Sequence, residues 1–203
     1  MIYTFMYGLV LALGLIIPLG IQNIFIFNQG ASQKHFLHAM PSVLTASVCD
    51  SILIICAVLG VSAVVLTLPW LKTVLFIVGF CFLMYMGFVI WYNTPGSSLH
   101  AGERPLSARR QMVFTMSVSL LNPHALLDTV GVIGTNSLRY IGYEKLVFTV
   151  ACIITSCCWF FVLSILGHFM HKLDGAGFWQ KVINRLSAVI IWIVAAYLGW
   201  QLV

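Results

Sequence analysis

The chain has 203 residues, 61% of them hydrophobic and only 7% charged, and its mean hydropathy of +1.03 is far above what a water-facing surface tolerates, which excludes a soluble globular domain. The net charge of +5 comes from ten basic residues scattered through short connections, which argues against a nucleic-acid footprint gathered on one face. Uncharged runs of about 20 residues recur along the chain and the alternating segments of a membrane barrel do not, so the sequence predicts an all-α membrane protein.

Six transmembrane helices are expected, over residues 3–27, 39–68, 70–91, 112–134, 146–169 and 182–203. The first is not read as a secretory signal: no basic residue precedes it, the first positive charge is Lys34, and the run is too long for a signal core. It contains Pro18-Leu19-Gly20-Ile21-Gln22-Asn23, a helix breaker, a flexible glycine and two adjacent amides. Pro18 has no N–H to offer the carbonyl of Gly14. Gln22 and Asn23 point about 100° apart on a helix, so at most one faces a given neighbour while the other lines a cavity or bonds loosened backbone. Amides at such positions also serve as interhelical glue.

The second span carries Asp50, with Thr45, Ser47 and Ser51 forming a small-polar stripe around it. A charged carboxylate near a bilayer centre costs roughly 2.5–3.5 kcal/mol, and the default reason to keep one is a polar pathway through the membrane. No Lys or Arg occurs between Lys34 and Lys72, so a partner for Asp50 must come from another helix or from a ligand.

Residues 93–111, with Pro95, Gly96, Ser97, Ser98, Gly102 and Pro105, read as an exposed linker. It separates repeat 1 (1–92) from repeat 2 (112–203), each with three spans. An odd number of spans per half inserts the second half upside down, which predicts two inverted three-helix repeats with broken helices 1 and 4. Shifting the first half by 105 positions places Pro18 on Pro123 and Asn23 on Asp128.

In the fourth span, Leu121-Asn122-Pro123-His124 is a second break, and Pro123 leaves the carbonyl of Ser119 without its usual donor. Ser119 and Asn122 share a face below it. Beyond it, His124 and Asp128 are four apart and can meet on one face. His124 can relay protons, bind metal or cap the loosened turn; Asp128 is a second intramembrane carboxylate and a candidate for proton handling. Trp159, within Cys158-Trp159-Phe160-Phe161 of the fifth span, either lies over a cation or packs as a large side chain.

The six cysteines all fall within spans, without Cys-x-x-Cys spacing, and read as small buried hydrophobes. No nucleotide, hydrolase, metal or other cofactor signature is present, and no Gly-x-Gly-Asp recommends the two aspartates as an intramembrane aspartyl enzyme. Lys34, Arg104, Arg109, Arg110, Lys172, Lys181 and Arg185 lie in or beside the first, third and fifth connections, against Lys72, Arg139 and Lys145 in the second and fourth. That bias places the odd-numbered connections, the linker included, in the cytoplasm. Strict Gly-x-x-x-Gly is missing, so a homodimer is admissible without being demanded.

These motifs resemble a known family. Ile17-Pro18-Leu19-Gly20-Ile21-Gln22-Asn23-Ile24-Phe25, ending in Asn28-Gln29-Gly30, is similar to the first-span signature of the LysE-type basic amino-acid exporters, and Leu121-Asn122-Pro123-His124-Ala125-Leu126-Leu127-Asp128-Thr129 to their fourth. Ser47-Val48-Cys49-Asp50 matches the aspartate of their second span, and Pro69-Trp70-Leu71 with Trp159-Phe160-Phe161 extends the resemblance over essentially the whole chain, nearest to bacterial arginine exporters. One departure is Ile21, where the family usually has proline.

The resemblance implies export of L-arginine, L-lysine or a close analogue across a bacterial cytoplasmic membrane, driven by the proton gradient or membrane potential. Moving a cation out of a cell that is negative inside works against about 2.3 kcal/mol per charge per 100 mV, so efflux must be coupled, and exchange for a proton cancels the charge. Substrate and proton would compete for Asp50 or Asp128, Gln22 is a further substrate-binding candidate beside the break at Pro18, and the loosened backbone near Gly20 and Pro123, with Asn23 and Asn122, would hold the substrate's backbone groups. Export of neutral amino acids, or of divalent or heavy-metal cations through His124, Asp128 and Cys49, is the alternative transporter reading.

Overall fold

A computed structural model of the chain describes residues 1–17, 20–33, 35–60, 106–121 and 123–173, with isolated residues between 73 and 91 and between 185 and 200. Regular structure among the described residues is helical throughout: α1 (Ile2–Ile16), α2 (Ile21–Ser32), a 3-10 turn (Phe36–Ala39), α3 (Met40–Val58), α4 (Ala108–Leu120), α5 (Pro123–Asp128), a π-helical segment (Thr129–Gly134), α6 (Thr135–Ser137) and α7 (Tyr143–Leu173). Two helices are long and apolar enough to cross a membrane, Phe36–Val58 and Tyr143–Met170, and α1 with α2, whose axes differ by 81°, would make a third as one broken span. The expected spans 70–91 and 182–203 lie largely outside the described residues.

The helix ends follow from local chemistry. α1 closes with the N–H of Ile17 donating to the carbonyl of Leu13 at 3.0 Å, and the next residue is Pro18, which itself lies outside the described residues. α2 restarts after Gly20, whose backbone is extended (φ −73°, ψ 169°). Ile21 therefore holds the first helical position, where the family's proline would also sit without cost because that N–H has no partner within the helix. The break is present without it.

α3 is shorter than the apolar run 39–68 suggests. It stops at Val58 because Gly60 turns the chain at φ 78° and donates its N–H to the carbonyl of Ala57 at 3.1 Å, a conformation that glycine adopts without a Cβ penalty. At the other junction α4 begins at Ala108, so the last residues of the expected linker 93–111 are helical. Pro123 opens α5 rather than kinking a continuous span, and the helix then widens into the π segment before returning to α geometry at Thr135.

α7 is the post around which α1, α2 and α3 assemble, and α4 leans on α3 and α2. Ala12, Ile54, Val58, Ile133, Phe148 and Cys152 form one apolar cluster, and Ile26, Val43, Ala46, Phe160 and Leu163 form another. Their register makes α3 antiparallel to α7. Along α2, Ile21 and Ile24 meet Val118 while Phe25 meets Phe114 with ring centroids 4.5 Å apart, so α2 and α4 run in opposite senses. Leu44, Val48, Ile52, Ile55 and Leu59 form an exposed apolar stripe along α3, the face that acyl chains would cover.

Candidate functional site

Asp50 lies on α3, about 12 Å of helix rise from its end at Val58. Its two carboxylate oxygens take hydrogen bonds from two different helices. The Nε2 of Gln22, in the first turn of α2, donates to Oδ1 at 3.1 Å, and the hydroxyl of Ser156 on α7 donates to Oδ2 at 2.7 Å. Both donors are neutral, and among the described residues no basic side chain lies within ion-pairing distance of Asp50. Hydrogen bonds to a charged acceptor stabilise it by roughly 1.5–3 kcal/mol each, and these two hold the carboxyl in one orientation.

Gln22 and Asn23 divide the labour that their 100° separation demands. Both are buried; Gln22 reaches Asp50, whereas the Nδ2 of Asn23 donates back across the break to the carbonyl of Ile16 at 2.5 Å. That bond satisfies one of the carbonyls that the end of α1 leaves open. The small-polar stripe around Asp50 is spent differently from its expectation: Thr45 Oγ1 donates to the carbonyl of Pro41 at 2.7 Å, Ser47 Oγ to Val43 at 2.9 Å and Ser51 Oγ to Ser47 at 2.7 Å. These hydroxyls bond their own helix.

Asp128 ends α5 and is partly buried. Ser119, fully buried on α4, lies against Cys49, the neighbour of Asp50, and Ile133 reaches Ile54 and Val58. The α4–α5–π run thus travels alongside α3 in the same direction, and Asp128 falls between the levels of Cys49 and Ile54. Asn122 and Pro18 lie outside the described residues, as do the side chains of Pro123 and His124. Trp159 packs at the edge of the Phe160 cluster, with its indole N–H buried and unpartnered among the described residues. No group of three His, Cys, Asp or Glu side chains gathers among the described residues.

Two polar residues absent from the expected set take part in the framework. Ser156 is one, and its only sequence signal is the Thr155-Ser156 pair in the middle of an apolar span. Asn136 is the other: it accepts a hydrogen bond from the Tyr7 hydroxyl at 2.8 Å, tying α1 to α6.

The family model of the LysE type translocators matches residues 13–202. YisU of Bacillus subtilis (strain 168), which carries the provisional name of an amino-acid transporter, is 49% identical over 196 residues, covering 97% of this chain and 89% of its own. The arginine exporter ArgO of Enterobacter sp. (strain 638) is 33% identical over 202 residues, covering 98% and 94%, and that of Serratia proteamaculans (strain 568) is 31% identical over 208 residues, covering 99% and 98%. No solved structure matches.

Proposed function

Because the chain belongs to the LysE type translocator family, we propose that it is a secondary exporter of basic amino acids, arginine or lysine, working in a bacterial cytoplasmic membrane in exchange for protons. The observation that carries this reading is Asp50: an intramembrane carboxylate oriented by two neutral donors from other helices, Gln22 and Ser156, with a countercharge that a guanidinium or ammonium can provide. A proton and a cationic side chain are then alternative occupants, because each neutralises the same carboxylate. The likeness to arginine exporters favours the cationic substrate over the neutral or metal alternatives.

In this reading the chain has six spans in two inverted halves, with α1–α2 and α4–α5 as the paired broken helices. The first amides of α2, after Gly20, favour a carboxylate by their partial positive charge. Asn122, beside the second break, takes the substrate's other backbone group, and Asp128 shares the proton traffic with Asp50. Charge balance sets the order of events: the cation leaves Asp50 only when a proton replaces it, so the carboxylate is not left bare in the membrane. His124, Trp159 and a homodimeric state are secondary features that this cycle does not need.

Inverted membrane vesicles carrying the protein should take up labelled arginine or lysine when a proton gradient is imposed, with leucine and cadmium competing poorly. Asp50→Asn should bring uptake to background while the protein inserts and extracts normally. Uptake by the Asp50→Asn protein equal to that of the parent would defeat the assignment.

A further inference from the structure

A second concentration of buried polar groups lies where α2 crosses α7. Gln29 and Gln33 are 6% and 3% exposed and Ser164 is fully buried. The Oε1 of Gln29, the Nε2 of Gln33, the Oγ of Ser164 and the Nδ1 of His168 are all buried and have no hydrogen-bond partner among the described residues. Each orphaned group of this kind costs roughly 1–3 kcal/mol, and native proteins keep few of them without a water or ligand to satisfy them.

The two helices come unusually close at this crossing. A methyl added at Gly30 would overlap the backbone carbonyl of Ser164, and one added at Gly167 would overlap the carbonyl of Phe27. Ser164 and His168 are four apart on α7 across Gly167 and stack beside the contact, while Gln29 lies in the last turn of α2 and Gln33 is the extended residue that follows its end at Ser32. Towards Asp50, the packed layer of Ile26, Val43, Ala46, Phe160 and Leu163 intervenes, since Ser156 and Ser164 are separated by about 12 Å of helix rise. In the other direction lies the end of the bundle where Arg109 and Arg110 open α4, Lys172 closes α7 and Lys34 follows α2 in sequence, the cytoplasmic end by the positive-inside bias.

We propose that Gln29, Gln33, Ser164 and His168 form a loading subsite for the head group of an α-amino acid, entered from the basic end and separated from Asp50 by the Ile26 and Phe160 layer. The donor and acceptor inventory fits that ligand. Gln29 Oε1 can only accept and suits the α-ammonium; Gln33 Nε2 can only donate and suits the α-carboxylate; the Ser164 hydroxyl serves either, and the His168 ring adds a further polar group. A zwitterionic head group has no net charge and needs no countercharge in the wall, which leaves the cationic side chain as the part that Asp50 recognises later. This subsite rests on the export reading above.

Uptake of labelled arginine by inverted vesicles measures loading from the cytoplasmic end, and right-side-out vesicles measure the opposite direction. Gln29→Met and Gln33→Met remove the polar ends at similar length and should raise the arginine KM in inverted vesicles by about tenfold or more, with a much smaller change in right-side-out vesicles. Ser164→Ala, a smaller change, should act in the same direction and guards against loss of folding in the longer substitutions. Agmatine, which is arginine without its carboxylate, should inhibit the parent and the Gln33→Met protein at the same concentration. An unchanged arginine KM in all three variants would overturn the subsite and leave the export reading standing. Equal weakening of arginine and agmatine in Gln33→Met would overturn the head-group assignment. Parent vesicles that take up neither arginine nor lysine would remove the export reading and this subsite together.

Discussion

The hydroxyl of Ser156 and the carboxylate of Asp50, 106 positions apart in sequence, meet at 2.7 Å between α7 and α3. A serine in a membrane helix ordinarily returns its proton to a carbonyl of its own preceding turn, as Thr155 does to Ala151 and Thr149 to Lys145. Ser156 instead sends it across the helix interface, so the orientation of the carboxylate depends on how α3 and α7 are seated.

Removing that hydroxyl tests its contribution. Ser156→Ala should lower kcat/KM for arginine by about tenfold or more, from the loss of a charge-assisted hydrogen bond of roughly 1.5–3 kcal/mol. Ser156→Thr keeps the hydroxyl and should recover most of the activity. An alanine variant that transports at the parent rate would reduce Ser156 to a packing residue.

Asp128 and His124 are separated by their effect on pH dependence. Asp128→Asn keeps the size and much of the hydrogen bonding but cannot titrate, so proton-driven efflux should fall to background and residual exchange should lose its dependence on pH. His124→Gln should retain measurable coupled transport. The comparison is made from pH–rate profiles in vesicles, and pH-dependent export by the Asp128→Asn protein would return that residue to a structural role.

Gly30→Ala places its methyl on the Ser164 carbonyl, and the backbone has no rotamer with which to yield. The expected cost is about 1–3 kcal/mol, read as a fall in Tm of several degrees in detergent. Gly14→Ala, which meets no atom within 4 Å, should be neutral or slightly stabilising through its better helix propensity. Equal melting of the two variants would mean that α2 and α7 are not held at this distance.

Single cysteines at the Arg109 and Lys172 positions should react with a membrane-impermeant thiol reagent from the cytoplasmic face, in a background where the native cysteines are replaced. Reaction of both from outside would invert the proposed orientation.

Much of the Asp50 neighbourhood was legible because charged and amide groups stand out in an apolar run, where each must be accounted for. Asp50 and Gln22 declare themselves in this way, and so does the break after Ile16, which proline and glycine advertise. Ser156 was not legible, since hydroxyls that bond their own helix and hydroxyls that leave it look the same in sequence. The end of α3 at Val58 was hidden for a related reason: the chain stays apolar to Leu68, and Gly60 is the sole mark of the turn in a setting where glycine is common within spans. Asn122, His124 and Pro18 could be singled out from sequence for their chemistry, but their surroundings fall outside the described residues.

The wide turn at Thr129–Gly134 also bears on how the two halves of the chain can be compared. A π segment closes its hydrogen bonds five residues back instead of four and so absorbs an extra residue. Every side chain after it is therefore rotated by about 100° from where a uniform α-helix would put it. A constant offset of 105 can pair Asn23 with Asp128 and still pair the wrong faces a turn later, and a helical wheel drawn straight through residues 123–137 blends two different sides. For the two inverted halves proposed above, an ungapped self-comparison would lose phase just after Asp128, so a test for the repeat has to allow a one-residue gap there.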